Sequence, residues 1–283
     1  MKKEVENKYF QEVYKVILYI EENYKKDLNL EELAKISGFS KFHFHRIFKF
    51  VVGSSLGDYI KRTKMSSSTR KFMNLESITR IALQSGYDTP ASYTKAFKNV
   101  FGKTPREYFQ NIIKENKKNK IMEPIKIENF EPVEVLYVRK EGKYSQAAGE
   151  AFEALMKFAY TQKIKFKKKL MGKDAMVFGI GHDDPNITES LKLRYDACVT
   201  WDDKTVKPEG EIATKTIPGG KYAVFLHKGS YEGLEKTYRE IMAWVMKNEI
   251  ELRDYPIFEK YLNRDPRRTK EENLRTEIFV PLK

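Results

Sequence analysis

Residues 33–59, LAKISGFSKFHFHRIFKFVVGSSLGDY, and residues 81–108, IALQSGYDTPASYTKAFKNVFGKTPREY, are one module written twice. Ala34, Gly38 and Phe39 recur as Ala82, Gly86 and Tyr87 at an offset of 48, and Phe48, Lys49, Gly53 and Tyr59 recur as Phe97, Lys98, Gly102 and Tyr108 at an offset of 49. A repeat kept over so many positions constrains the fold more than any other feature. The first part of the chain must build the same supersecondary unit twice.

The punctuation of each copy says which unit. In the first, Asn29 is a good N-cap, with Glu32 three residues on as its capping-box partner. Gly38 stands where a turn between two helices needs a positive φ, and Ser40 can cap a second helix, KFHFHRIFKFVV. In the second copy Ser77 takes the place of Asn29, Gly86 that of Gly38, and Thr89 with Pro90 supplies an N-cap followed by proline at the first helical position. A short helix, a glycine turn and a second helix make a helix–turn–helix. Upstream, Val13, Ile17, Ile20 and Tyr24 form one apolar stripe at helical spacing over residues 5–24. Between the copies, residues 55–73 can form a connecting helix with Leu56, Tyr59, Ile60, Met65 and Phe72 facing the two modules. Its run Ser66-Ser67-Ser68-Thr69 lowers helix propensity and competes for backbone hydrogen bonds, so the spacing predicts a frayed or bent helix there. Two recognition helices in successive major grooves need about 34 Å between them.

Charge agrees with a nucleic-acid partner. Residues 1–120 carry 24 Lys and Arg against 13 Asp and Glu, a net +11, whereas residues 121–283 carry 29 against 27, a net +2. A merely solvated lysine-rich surface would spread the excess evenly; concentration in the repeat half is the footprint of a polyanion binder. The single cysteine, Cys198, excludes an internal disulfide and points to a reducing compartment. The N-terminal MKKEVENKYF has no apolar signal core, and no apolar run approaches the ~18 residues of a membrane span. A cytoplasmic protein with no membrane partner is expected. His43 and His45 stand i, i+2 on a helix and point about 200° apart; with four histidines and one cysteine in all, no metal site is expected. No cofactor is expected either, for there is no phosphate loop, dinucleotide fingerprint or nucleophile elbow.

After a polar, lysine-rich stretch, residues 111–124, the texture changes. IKIENFEPVEVLYVR and KYAVFLHK read as strands, YSQAAGEAFEALMKFAY and YEGLEKTYREIMAWVMK as amphipathic helices. Gly142-Lys143-Tyr144 recurs as Gly229-Ser230-Tyr231 at an offset of 87; Asp184-Pro185 recurs as Asp265-Pro266, and Leu193-Arg194-Tyr195-Asp196 as Leu274-Arg275-Thr276-Glu277, both at 81. The expected fold is therefore α+β in two domains. An all-α double helix–turn–helix domain (1–110) and a linker (111–124) precede an antiparallel α+β domain (125–283). The latter is two duplicated strand–helix–strand–strand units with helices on one sheet face and a ligand cleft along the pseudo-twofold axis.

Two resemblances sharpen this. The pattern LAxxSGFSxxHFxRIFKxxxGxSxxxYI…IALxSGYxTxxSYTxAFKxxFGxTPREY, over about residues 8–110, resembles the AraC/XylS transcription regulators. The resemblance implies a two-headed domain that acts as a monomer on double-stranded DNA, with RNA polymerase as a further partner. Phe42, His45 and Arg46 match the family's base-facing positions in the first recognition helix, and Pro90, Ala91, Ser92 and Lys95 those of the second; Ser40, Lys49 and Thr89 belong to the same interface. Arg46 can bond guanine O6 and N7, His45 can donate or accept, and Phe42 can pack on a thymine methyl. Pro90, Ala91 and Ser92 present few donors, and Lys95 suits a phosphate. The first copy should read sequence and the second hold position. Family members carry helix formers where this chain has residues 66–69.

The second half resembles the GyrI-like, or effector-binding, domain, on VxYVRxxGxY, GxxxDDP, LRYDxCV, IPGGxYAVxxHxGxY, ExYLNxDP and TEIFVPL. The resemblance implies a pocket for small aromatic or cationic effectors, with Glu259 at the position of the family's pocket carboxylate and Tyr144, Leu193, Tyr222 and Tyr261 around it. A buried unpaired carboxylate is costly; a cation would relieve that cost, and tyrosine rings would add cation–π attraction. The competing reading pairs Glu259 with Arg194 or Arg275, or points it to solvent, and Trp201 and Trp244 read as core. Two other functions stay open: a hydrolase of small electrophiles using Glu259 and Tyr144 as general base and partner, and a gyrase- or protein-binding module tethered to DNA.

Overall fold

The computed structural model describes residues 2–162, 175–202, 204–263 and 265–283. Helix α1 (Lys2–Asn23) buries Val13, Ile17 and Ile20. Helices α2 (Leu30–Ser37) and α3 (Lys41–Val52) form the first helix–turn–helix, with Gly38 left-handed at φ 68° between them. Helices α5 (Ile78–Gln84) and α6 (Pro90–Phe101) form the second. Each predicted cap is made: Asn29, Ser40, Ser77 and Thr89 accept from the N–H groups of Glu32, His43, Arg80 and Ser92. Glu32 is not the capping-box partner expected; its carboxylate accepts instead from Tyr19 of α1 at 2.5 Å. Gly86 has φ 77°, and a Cβ there would stand 2.7 Å from the Lys25 carbonyl oxygen, so glycine is required on two counts. Helix α7 (Pro105–Asn116) closes the domain behind a Thr104–Glu107 capping box and runs on into the stretch read as linker.

The connecting helix α4 (Leu56–Lys71) corrects one expectation. It is unbroken through Ser66–Thr69, and all four of these residues are buried. Their hydroxyls are bonded: Ser68 donates to Met65 O at 2.6 Å and accepts from Tyr93 at 2.8 Å, Thr69 donates to Ser66 O at 2.7 Å, Ser67 accepts from Arg70 at 3.0 Å, and Ser66 donates to Asp183. Small side chains let neighbouring elements approach closely, and tertiary bonding outweighs weak intrinsic propensity.

Among its described residues the second half forms one antiparallel sheet of eight strands: β1 (Lys126–Phe130), β2 (Val133–Glu141), β3 (Val177–Gly181), β4 (Arg194–Thr200), β5 (Ala213–Ile217), β6 (Gly220–Lys228), β7 (Phe258–Tyr261) and β8 (Arg275–Pro281). Their order is β1-β6-β8-β7-β3-β4-β2-β5. Helix α8 (Tyr144–Thr161) follows β2 and α9 (Leu234–Lys247) follows β6, so strand, helix, strand, strand occurs twice in chain order. Both helices cover one face, α8 over Leu136, Val138 and Ala197, α9 over Ala223, Phe225 and Ile278.

The other face is covered by the helical domain. Tyr137, Phe178, Cys198, Tyr222, Phe258 and Phe279 share one continuous core with Val13, Ile17, Ile20, Phe44, Phe48 and Tyr59. The two domains are therefore packed on each other through apolar surface, the term that dominates association. The apolar runs VLYV in β2 and YAVFL in β6 carry that signal, because a strand with one wet face would alternate. Among the described residues no helix is long and apolar enough to cross a membrane.

Candidate DNA-reading and effector sites

Helix α3 turns Phe44, Ile47 and Phe48 into the core. The opposite side presents His45, Arg46 and Lys49 to solvent, with Phe42 87% exposed and Ser40 holding the N-terminus. Leaving a phenylalanine ring in water forgoes about 2 kcal/mol of burial, which fits a surface shaped for a partner. Phe50, 66% exposed on the same side, was not singled out from sequence; its place off the buried stripe was the available sign. Helix α6 buries Tyr93, Phe97 and Phe101 and exposes Pro90, Ala91, Ser92 and Lys95. The Ser92 hydroxyl is committed to Thr89 O at 2.8 Å, and Thr89 Oγ1 to the Ser92 N–H at 3.1 Å. Near its N-terminus the second reading head thus offers little free side-chain hydrogen bonding beyond Lys95, with Lys98 and Asn99 exposed one turn further on.

Glu259 lies on β7 facing the helix-covered side of the sheet, 8% exposed. Tyr238 of α9 donates to its Oε1 at 2.9 Å and Tyr261 donates to its Oε2. Tyr261 and Tyr195 hydroxyls meet at 2.7 Å, and Phe152 and Tyr231 place ring edges against Tyr261 at 5.4 and 5.5 Å. Gly179 of β3 makes this possible: a Cβ there would stand 1.9 Å from the Tyr195 hydroxyl and 2.8 Å from that of Tyr261. Burial pushes the Glu259 carboxyl above its ordinary value, against the pull of the two tyrosine hydrogen bonds. Neither arginine of the competing reading reaches it. Arg194 is held by Asp183 and Arg275 by the Glu272 and Leu274 carbonyls. Among the described residues Glu259 has no cationic partner.

The expected ring of ligand residues is only partly assembled. Tyr261 touches Glu259. Tyr144 stands one ring further, 5.9 Å from Tyr195, with its hydroxyl donating to Asp183 O at 2.6 Å. Leu193 is buried just before β4, its carbonyl accepting from Gly142 at 2.9 Å. Tyr222 is the correction. It faces the other side of the sheet, among Phe130, Phe258 and Phe279, and its ring already holds a cation, the Arg253 guanidinium at 4.7 Å. The physical reason is strand parity: Phe258 and Tyr222 point one way and Glu259 the other. Sequence spacing does not connect Tyr238 or Tyr195 to Glu259, because neither stands on the same strand and only the fold brings them to it. Trp244 is core and donates to Glu123 at 2.8 Å.

A basic helical domain with two open recognition faces, packed on a domain that buries a carboxylate among tyrosines, is a DNA-binding regulator with a small-molecule domain. The sequence matches the model of the GyrI-like small molecule binding domain over residues 123–283 and that of a helix-turn-helix domain over residues 33–111. The chain belongs to the GyrI-like family and carries an AraC/XylS-type DNA-binding domain ahead of it. It is similar along nearly all its length to the transcriptional regulator Rob of Salmonella typhimurium, 22% identical over 285 residues covering 95% of this chain and 96% of that one. The right origin-binding protein of Escherichia coli K12 is 23% identical with the same coverage. The multiple antibiotic resistance protein MarA of Salmonella typhimurium is 35% identical over 97 residues, 34% of this chain and 76% of that protein.

Proposed function

We propose that the chain is a ligand-responsive transcription regulator that takes cationic aromatic compounds at Glu259. In this reading α3 reads base edges through Phe42, His45 and Arg46, while α6 anchors a monomer to double-stranded DNA through Lys95. Bound DNA positions the protein to recruit RNA polymerase as an activator. The observation that carries the ligand class is Glu259: a carboxylate buried among Tyr195, Tyr238 and Tyr261 with no cation of the described chain beside it. A cationic ligand supplies the missing charge, and the aromatic walls favour a flat or phenyl-bearing cation. Calorimetric titration with tetraphenylphosphonium tests it: wild type binds, and Glu259→Gln loses tenfold or more in affinity, about 1.4 kcal/mol. Equal affinity in both proteins sinks the assignment.

The hydrolase reading has one observation in its favour. A carboxyl raised by burial and bonded to Tyr261 is a serviceable proton carrier. Its partner would be Tyr261 or Tyr238, since Tyr144 is engaged by Asp183. Turnover of an electrophilic ester that disappears in Glu259→Gln would establish it.

A further inference from the structure

The effector-site tyrosines do not end at Glu259. From Glu259 a line of contacts crosses the domain boundary. Tyr261 donates to Glu259 and meets the Tyr195 hydroxyl at 2.7 Å. The Tyr195 ring lies edge-on to Tyr144 at 5.9 Å. The Tyr144 hydroxyl is clamped to one backbone unit, donating to Asp183 O at 2.6 Å and accepting from Asp183 N at 3.0 Å. Gly181 leaves room for it; a Cβ there would come within 3.1 Å of that hydroxyl.

Asp183 is the junction. Its carboxylate accepts from Arg194 Nε at 2.9 Å, Nη2 at 2.8 Å and the Arg194 backbone at 2.8 Å. Ser66 of α4 donates to the same carboxylate. Arg194 in turn donates to Thr63 of α4 at 3.0 Å and lies over the Tyr59 ring at 5.6 Å. Both ions are buried, with side chains 2% and 0% exposed. A buried pair satisfied on every side admits few alternative arrangements. Helix α4 joins the two reading heads, so a small displacement of it changes their spacing.

We propose that Asp183 and Ser66 are positioning residues that relay the state of the Glu259 site to helix α4, and so set the distance between the two recognition helices. The relay rests on the effector-site reading only for what occupies the site; the path itself is a property of the chain. A ligand that draws Tyr261 away from Tyr195 frees the Tyr195 ring, and with it Tyr144 and the backbone that holds Asp183 against Ser66. The small serine run is then the surface through which the sheet domain grips the helix, which gives its departure from helix-forming residues a use.

Coupling energy between two sites, not proximity, is the warrant for such a path. Amide hydrogen exchange on the full-length chain measures it without a ligand. Tyr261→Phe deletes the hydroxyl between Tyr195 and Glu259. The expected result is a change of about threefold or more in exchange over residues 63–69 of α4. That change should vanish when the same substitution is made in a Ser66→Ala background. Thr63→Ala is the second background, since it removes the Arg194 acceptor and leaves Asp183 its own three bonds to Arg194. The relay is overturned if Tyr261→Phe alters exchange in residues 258–261 and leaves α4 unchanged, or if α4 responds equally with and without Ser66. Titration with tetraphenylphosphonium separates the two readings. A cation that fails to bind removes the proposed ligand class, and the exchange cycle alone decides the relay.

Discussion

Arg139 of β2 and Asp196 of β4 are cross-strand neighbours that meet at 2.6 Å beneath α1, and Arg139 also donates to Glu21 of that helix. His182 at 2.7 Å and Lys215 complete the ring around the Asp196 carboxylate, and Tyr59 of α4 accepts from Arg139 at 2.8 Å. One guanidinium thus ties two helices of the DNA-binding domain to the sheet. Such a pair adds little net stability over an apolar substitute, but removing one member strands the other charge in the interior. Arg139→Met should cost about 3–5 kcal/mol in urea unfolding. A loss under 1 kcal/mol would show that Lys215 and solvent suffice for Asp196 and Glu21.

The same cluster makes stability pH-dependent. Burial pushes the Glu21 carboxyl up, but Arg139 and His182 outweigh it and hold the group at about 2. Asp254 is likewise held at about 2, burial being overcome by Arg70, Tyr24 and Lys71. Asp183 and Asp196 are likewise held well below the usual carboxylate range, burial being overcome by Arg194 and Arg139 respectively. Carboxyls depressed in the folded state contribute stability above their ordinary range and lose it as pH falls through the folded value. His182 is moved down by burial, with Asp196 opposing, so folding favours its neutral form; that contribution is present above 6.5 and fades as pH drops. Melting temperature should be level near neutrality, decline gently below 6.5 and fall steeply from the carboxylate range toward 2. A maximum in the carboxylate range would contradict the assignment of these groups as charged and paired.

Glu259 has the opposite sign. Its carboxyl is raised in the folded protein, so its favourable contribution is complete in acid and is lost as pH rises through the folded value. Glu259→Gln should therefore raise the melting temperature at neutral pH, with the gain shrinking in acid, while it weakens tetraphenylphosphonium binding. A stabilised protein that binds less well separates a functional carboxylate from a structural one, because removing a structural group would lower both.

The parts of this architecture written in local chemistry could be read from the chain. Asn29, Ser40, Ser77 and Thr89 are caps because their side chains must satisfy N–H groups three residues away, and Gly38 and Gly86 are turns because no other residue takes their φ cheaply. Glu259 and Tyr261 share a face by strand parity alone. What was not legible depends on partners distant in sequence. Tyr222 obeys the same parity on its own strand, but the register of β6 on β8 decides which side that is. The Ser66–Thr69 run looks weak in isolation because its stabilising partners, Asp183 and Tyr93, lie on other elements. Tyr238 reaches Glu259 from α9, which no spacing rule connects to β7.

The inequality of the two reading heads yields the last prediction. Arg46 is exposed at the centre of the open face of α3, where a fork of donors can engage one guanine, whereas Lys95 presents a point charge from a helix whose neighbouring Ser92 hydroxyl is already bonded to Thr89. Removing a bidentate base contact costs about 1–3 kcal/mol at one position of the site and leaves the others. Removing a phosphate contact weakens all sequences alike and lowers the slope of log affinity against log salt by about 1. In vitro selection from random duplexes followed by salt titration distinguishes these outcomes. Arg46→Ala should flatten the preference at a single base pair, and Lys95→Ala should keep the selected motif while its salt slope falls by about 1. If instead Lys95→Ala changed the motif and Arg46→Ala only reduced affinity evenly, the second helix would be the reader, and the roles of the two copies would have to be exchanged.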